Sequence, residues 1–171
     1  MNQVVKKHKK WSMKLENNNK TNALLSNLNI DFRELLTLEA QKVGLLKKSN
    51  LILTTQVTQK HAFLSNKTKL SLIIRNLIDH AISRMDSQKR ENIIDIDIKV
   101  TENDAFIEVV DNGSGYAKSE LIKIQNSSSS HPISLIEVIK FCVKSLSGTF
   151  GVDSSLKVGT HIIIKIPNRH P

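Results

Sequence analysis

The run Ile94-Asp-Ile-Asp-Ile-Lys-Val alternates apolar and charged residues without a break. Successive side chains of an extended strand point to opposite faces, so this pattern calls for a strand with one buried and one wet face. Ala105-Phe-Ile-Glu-Val-Val-Asp follows in like style, and Asn103-Asp104 is the natural turn between the two. An apolar sheet face of this kind has to be covered by something.

Helical segments that supply a cover are spaced along the chain. Asn29-Ile-Asp-Phe-Arg-Glu-Leu-Leu reads as a helix start, with Asn29 or Asp31 as cap and Glu34 in the first turn. Phe32, Leu35, Leu36 and Ala40 fall at helical spacing, and this helix should fade near Lys47 to Asn50. A long helix is expected from Lys67 to Met85 and a short one from Lys118 to Ile124. Pro132 can open another, with Leu135, Ile136, Ile139, Val143 and Leu146 on one side and Gly148 ending it. Leu51 to Val57 is a further strand, with Ala62-Phe63-Leu64 as its short partner, and Thr149–Val152 with Gly159–Ile166 make a closing hairpin. No internal repeat is visible. The order predicts an α/β (α+β) sandwich, a mixed sheet covered on one face by helices.

With 39% apolar but only 4% aromatic residues in 171, the core must be built from Ile, Leu and Val. No apolar stretch approaches a membrane span, and the start MNQVVKKHKKW lacks the apolar centre of a secretory signal. The single cysteine, Cys142, has no internal disulfide partner and lies in an apolar helical pattern, so it reads as a buried thiol. These features fit a cytoplasmic location, or the cytosolic end of something larger. The net charge is +9, of which Lys6, Lys7, Lys9, Lys10, Lys14 and Lys20 against Glu16 supply +5 within twenty residues. Residues 1–28 therefore read as a basic flexible arm or linker ahead of a domain over 29–168. Only Trp11 interrupts the basic run, which favours a solvated tail over a nucleic-acid site.

Two segments hold residue types suited to chemistry. On the 67–85 helix, Leu70, Ile74, Leu77, Ile78, Ala81 and Met85 gather on one side, and Leu72, Asn76, Asp79, His80 and Ser83 on the other. The second side is either a solvated surface or a set able to hold a hydrated metal ion, because Asn76, Asp79 and His80 stand at i, i+3 and i+4. In Val109-Val-Asp-Asn-Gly-Ser-Gly-Tyr, Asp111 closes an apolar strand and Gly113 and Gly115 follow one residue apart. This is either a plain hairpin turn, or a carboxylate able to accept a hydrogen bond from an exocyclic amine such as adenine's, beside a backbone free to approach a flat ligand.

Asn76-Leu-Ile-Asp-His-Ala-Ile resembles the N box of the histidine-kinase, gyrase and heat-shock-chaperone ATPase superfamily (GHKL), and Asp111-Asn-Gly-Ser-Gly resembles its first glycine box. Val158-Gly-Thr-His-Ile-Ile-Ile-Lys-Ile-Pro is similar to the family's closing Gly-Thr strand, and Leu146-Ser-Gly-Thr-Phe to the turn that leaves its last helix. Order and spacing agree over about 140 residues. The resemblance implies the Bergerat-type ATP-binding fold. It implies that Asp111 binds the adenine amine, that Gly113 and Gly115 shape the adenine pocket, that Thr160 supports the base, and that Asn76 faces the phosphates and the metal.

Three departures qualify these implications. His80 stands where the family places a second asparagine, the principal Mg²⁺ ligand, and imidazole suits softer metals; Asp79, one position away, is a candidate substitute. Ile133-Ser-Leu-Ile stands where a Gly-x-Gly-Leu segment would offer backbone N–H groups to phosphates, and the lid before it is short and serine-rich, so that Ser127 to Ser130 could offer hydroxyls instead. No phosphoacceptor histidine opens a helical hairpin. The expected function is thus the ATP-binding domain of a sensor histidine kinase in phosphotransfer signalling, with ATP held and Mg²⁺ use weak or impaired. Its partners would be a phosphoacceptor domain or response regulator in trans, and a homodimer is compatible with the resemblance. The alternatives are a non-catalytic regulatory or scaffold module, and a stand-alone switch kinase of anti-sigma type. Against the last, the N box of such kinases usually carries glutamate where Asn76 stands.

Overall fold

The computed structural model describes residues 28–43, 50–127 and 134–169. Of the expected arm over 1–28 only Leu28 is described; its other residues with Trp11, the helix fade at Lys47, most of the serine run, Pro132 and Ile133 lie outside the described residues. In chain order the elements are β1 (Leu28–Asn29), α1 (Phe32–Val43), β2 (Leu51–Gln59), β3 (Leu64–Ser65), α2 (Lys67–Ser83), β4 (Asn92–Val100), β5 (Asp104–Asp111), α3 (Lys118–Asn126), α4 (Leu135–Ser145), β6 (Thr149–Ser155) and β7 (Gly159–Pro167).

A five-stranded mixed sheet runs β2-β4-β5-β7-β6, with β2 parallel to β4 and every other neighbour antiparallel. Alternation decides which face is covered. Ile94, Ile96, Ile98 and Val100, then Ala105, Ile107 and Val109, then Ile162, Ile164 and Ile166 are all buried. Asp95, Asp97, Lys99 and Lys165 remain in solvent on the other face. The register sets Ile98 against Ile107 and Ile107 against Ile164, so three strands present one continuous aliphatic floor. Leu70, Ile73, Ile74, Leu77 and Ile78 of α2 and Ile136, Ile139, Cys142 and Val143 of α4 close over it. Each such side chain contributes about 1.5–3 kcal/mol by leaving water, which makes this layer the main source of stability.

Three expectations need correction. Ala62-Phe63-Leu64 does not join the strand at Leu51; β3 pairs with β1 instead, Leu64 opposite Asn29. The inner edge of β2 is already filled by β4, and Asn29 Oδ1 accepts the Phe63 N–H at 3.1 Å while the Ile30 N–H donates to the Phe63 carbonyl at 2.8 Å. Asp104 already belongs to β5, because the Thr101 N–H donates to its carbonyl and tightens the turn. The first helical residue of α4 is Leu135, where Ser134 and Glu137 form a reciprocal cap that satisfies two backbone donors. At the other helices, Asp31 rather than Asn29 caps α1 by accepting the Arg33 and Glu34 N–H groups, and Asn66 caps α2.

The side of α2 read as polar is not a solvated surface. Leu72 and His80 are both buried. Between α1 and α2, buried Glu39 accepts from Arg75 at 2.6 Å and from Lys42 at 2.7 Å. Burial alone would raise its pKa, but the hydrogen bonds from Lys42 and Arg75 outweigh it and hold the carboxyl below the usual range. Cys142 sits between α4 and α2, and burial pushes its thiol up to about 11 against the opposing charge of Lys69.

Candidate functional site

Asp111 shares the inward face of β5 with Ile107 and Val109, so the alternation that builds the core also carries its carboxylate under the helices, where it is 5% exposed. Its Oδ1 accepts the Gly113 N–H at 2.9 Å. Burial raises its pKa, and hydrogen bonds from the backbone of Gly113 and Thr160 and the charges of Arg84 and Lys89 pull in the opposite direction. Thr160 stands directly across the ladder from Asp111 and is equally buried. Ser154 Oγ lies 3.2 Å from Thr160 Oγ1 and 2.7 Å from the Gly159 carbonyl, and accepts the Tyr116 N–H at 2.9 Å.

The glycines are required by the chain's own close packing. A Cβ on Gly113 would sit 2.3 Å from the Arg84 carbonyl oxygen, and one on Gly115 would sit 2.0 Å from that of Ser155, at a φ of +60°. The Ser114 N–H donates to the Arg84 carbonyl and the Lys157 N–H to that of Ser114, so the loop after β5 is stitched to the end of α2 and to the β6–β7 turn. Lys89 Nζ donates to the Asn112 carbonyl on the same loop.

His80 is 3% exposed, and its Nε2 lies 2.8 Å from the Tyr116 hydroxyl, with the two rings stacked 5.8 Å apart. Burial, and secondarily the positive charge of Arg84, lower its pKa to about 4, so the imidazole is neutral at pH 7. Tyr116 is pushed up by burial and stays a phenol. The Arg84 guanidinium lies 4.1 Å over the Tyr116 ring, and its Nη2 donates to the Gly115 carbonyl.

Of the residues singled out by sequence, Asp111, Gly113, Gly115 and Thr160 converge at one end of the sheet, and His80 reaches them through Tyr116. Asn76 lies one turn earlier on α2, half-buried, with its side-chain amide donating to the Leu72 carbonyl of its own helix at 2.6 Å. Asp79 is half-buried beside His80. Sequence reasoning passed over Tyr116, Arg84 and Ser154. Tyr116 directly follows Gly115, and Arg84 stands four residues after His80 on the same side of α2, so both had a spacing signal. Ser154 depends on the register of the β6–β7 hairpin, which no sequence pattern carries.

Comparison with known proteins follows the same lines. A sequence model of the histidine kinase-, DNA gyrase B-, and HSP90-like ATPases matches residues 65–170. No curated protein matches the sequence. Among solved structures, the catalytic domain of the histidine kinase ThkA superposes with a TM-score of 0.68 at 15% identity, covering 84% of this chain and 97% of that one. The Acinetobacter baumannii histidine kinase AdeS gives 0.70 at 16% identity, covering 93% of this chain and 76% of that one. Full-length ShkA, solved with AMPPNP, gives 0.70 at 16% identity over 86% of this chain and 32% of that one. At these identities the likeness is one of fold.

Proposed function

Because the chain belongs to the histidine kinase-, DNA gyrase B-, and HSP90-like ATPase family, we propose that it binds an adenine nucleotide at the end of the sheet where Asp111 and Thr160 meet. The observation that supports this most is the Asp111 carboxylate. It is buried, raised by that burial, and only partly satisfied by backbone donors, so an exocyclic amine is a fitting further partner. Thr160 and Ser154 form a hydroxyl pair beside it that suits a ring nitrogen. Gly113 and Gly115 hold the loop close enough to α2 to keep this end narrow.

The metal side fits less well. The Nε2 of His80 is engaged by Tyr116, and imidazole is a soft ligand for a hard ion. Asn76 is left as the amide able to turn toward phosphates, at the cost of its bond to Leu72. In this reading the domain serves phosphotransfer signalling in the cytoplasm as an ATP-binding unit of sensor-kinase type, with the phosphoacceptor domain or response regulator supplied in trans. When ATP is bound, the chemistry open to such a site is transfer of its terminal phosphoryl group, achieved by positioning and charge neutralisation. The His80–Tyr116 contact favours a second reading, in which the fold binds nucleotide as a regulatory module without turnover.

Calorimetric titration with adenosine, ADP and ATP, with and without Mg²⁺, tests the proposal. Adenosine should bind, and Mg²⁺ should change ATP affinity by less than about threefold, which is under about 0.7 kcal/mol. A chain that binds none of the three is not a nucleotide domain. A tenfold gain with Mg²⁺ would show that Asn76, Asp79 or a displaced His80 serves the metal after all.

A further inference from the structure

Arg84 is a half-buried cation whose surroundings leave most of it unanswered. It caps α2 at its C-terminus, so its backbone position is held by hydrogen bonds to the carbonyls of His80 and Ala81 and by the Ser114 N–H on its own carbonyl. Among the described residues its side chain makes one hydrogen bond, from Nη2 to the Gly115 carbonyl, and it lies over the Tyr116 ring. A guanidinium carries five N–H donors. Among the described residues the buried Nε donor has no hydrogen-bond partner and no carboxylate forms an ion pair with Arg84. Taking a charge partly out of water without a counter-charge is unfavourable, and a buried orphan donor adds to the cost.

The charges around it make an anion the missing partner. His80 on the same helix is neutral, Lys89 is committed to the carbonyls of Asn112, Gly113 and Val158, and Asp111 is close enough to feel Arg84 but hydrogen-bonds backbone instead. The cation therefore stands between the Asp111 end of the site and the His80 turn of α2. We propose that Arg84 binds the phosphate groups of the nucleotide and takes over charge neutralisation that a divalent cation would otherwise provide. A planar guanidinium suits this role because it meets two phosphate oxygens at once, and Tyr116 beneath it fixes the plane. This rests on the adenine-nucleotide reading above and names the group in that site that recognises phosphate.

The test uses the full chain in EDTA, titrated with adenosine, ADP, ATP and inorganic pyrophosphate. Wild type should bind ATP at least tenfold more tightly than adenosine without any metal. Arg84→Met should bring the ratio of ATP to adenosine affinity down toward one, whatever its effect on adenosine itself, and Arg84→Lys should keep part of that ratio. ATP and adenosine affinities that are both the same in wild type and Arg84→Met overturn the inference. If adenosine fails to bind while pyrophosphate binds in an Arg84-dependent way, the adenine reading falls and the anion site stands; if neither binds, both fall. Should Arg84→Met not fold, the wild type still decides. Raising salt in EDTA must weaken ATP binding and spare adenosine, and salt-insensitive ATP binding rejects the role of Arg84.

Discussion

The Nε2 of His80 lies 2.8 Å from the hydroxyl of Tyr116, and this contact ties the last full turn of α2 to the loop that follows β5. Both partners are neutral, one because burial drives the imidazole down and the other because burial drives the phenol up. The pair therefore joins two segments of the site without adding charge to it, and leaves Arg84 as the cation that faces them.

His80 makes stability depend on pH in a defined direction. Its pKa is about 4 in the folded chain against an ordinary 6.5, so the unfolded chain takes up a proton that the folded chain refuses. Stability is full above pH 6.5, falls as pH drops from 6.5 to 4, and levels off below. The whole effect is about 3 kcal/mol, of which about 2 is lost between pH 7 and pH 5. Urea denaturation at pH 7, 6 and 5 measures it. Asp111, whose pKa is raised, acts with the opposite sign in acid, so the informative quantity is wild type compared with His80→Gln. The variant should show a flatter slope, and identical slopes would mean that another group sets the acid limit.

What sequence could and could not reveal follows from the range of each signal. The alternation of Ile94–Val100 and Ala105–Asp111 is local, and it located two strands and their buried face together. Helical spacing did the same for Leu70, Ile74 and Ile78. The burial of His80 was not legible, because it depends on Tyr116 approaching from a loop 36 residues away. Nor was a further demand on Gly113 and Gly115. Their spacing suggested room for a ligand, and the structure adds that a Cβ on either would meet the backbone of Arg84 or Ser155.

Those contacts make the glycines unequal. Gly115→Ala places a methyl on the Ser155 carbonyl at a positive φ, and should cost more than about 2 kcal/mol. Gly151→Ala meets nothing closer than the Ile163 carbonyl at 3.8 Å and should be neutral to within about 0.5 kcal/mol. Thermal melts of the two variants test the loop packing. Equal losses would show that the loop after β5 is looser than its hydrogen bonds imply.

The ion pairs are unequal in the same way. Glu39 is 1% exposed and is held by both Arg75 and Lys42, so Glu39→Ala breaks a buried pair at both of its contacts and should cost about 3 kcal/mol. Glu34 meets Lys67 at 3.6 Å between two exposed side chains, and Glu34→Ala should cost less than about 1 kcal/mol. Denaturant midpoints rank them. A Glu39→Ala loss no larger than that of Glu34→Ala would mean that α1 is not clamped to α2 by this pair.

Asp111→Asn examines adenine recognition with the least disturbance to the fold. An asparagine Oδ1 can still accept the Gly113 N–H at 2.9 Å, and the side chain keeps its size beneath the helices. Removing a raised, buried carboxylate removes a cost that offsets the weakened hydrogen bond from the Thr160 backbone, so the melting temperature should change little. What changes is the other branch of the side chain, where an acceptor becomes an N–H donor that would face the adenine amine in the proposed site. Losing that charge-assisted bond should weaken adenosine binding by about ten- to a hundredfold, or about 1.5–3 kcal/mol. Calorimetry with adenosine, rather than ATP, keeps Arg84 and the phosphates out of the comparison. A folded Asp111→Asn chain that binds adenosine as tightly as wild type would move the base away from Asp111, and the site would have to be sought elsewhere on the sheet.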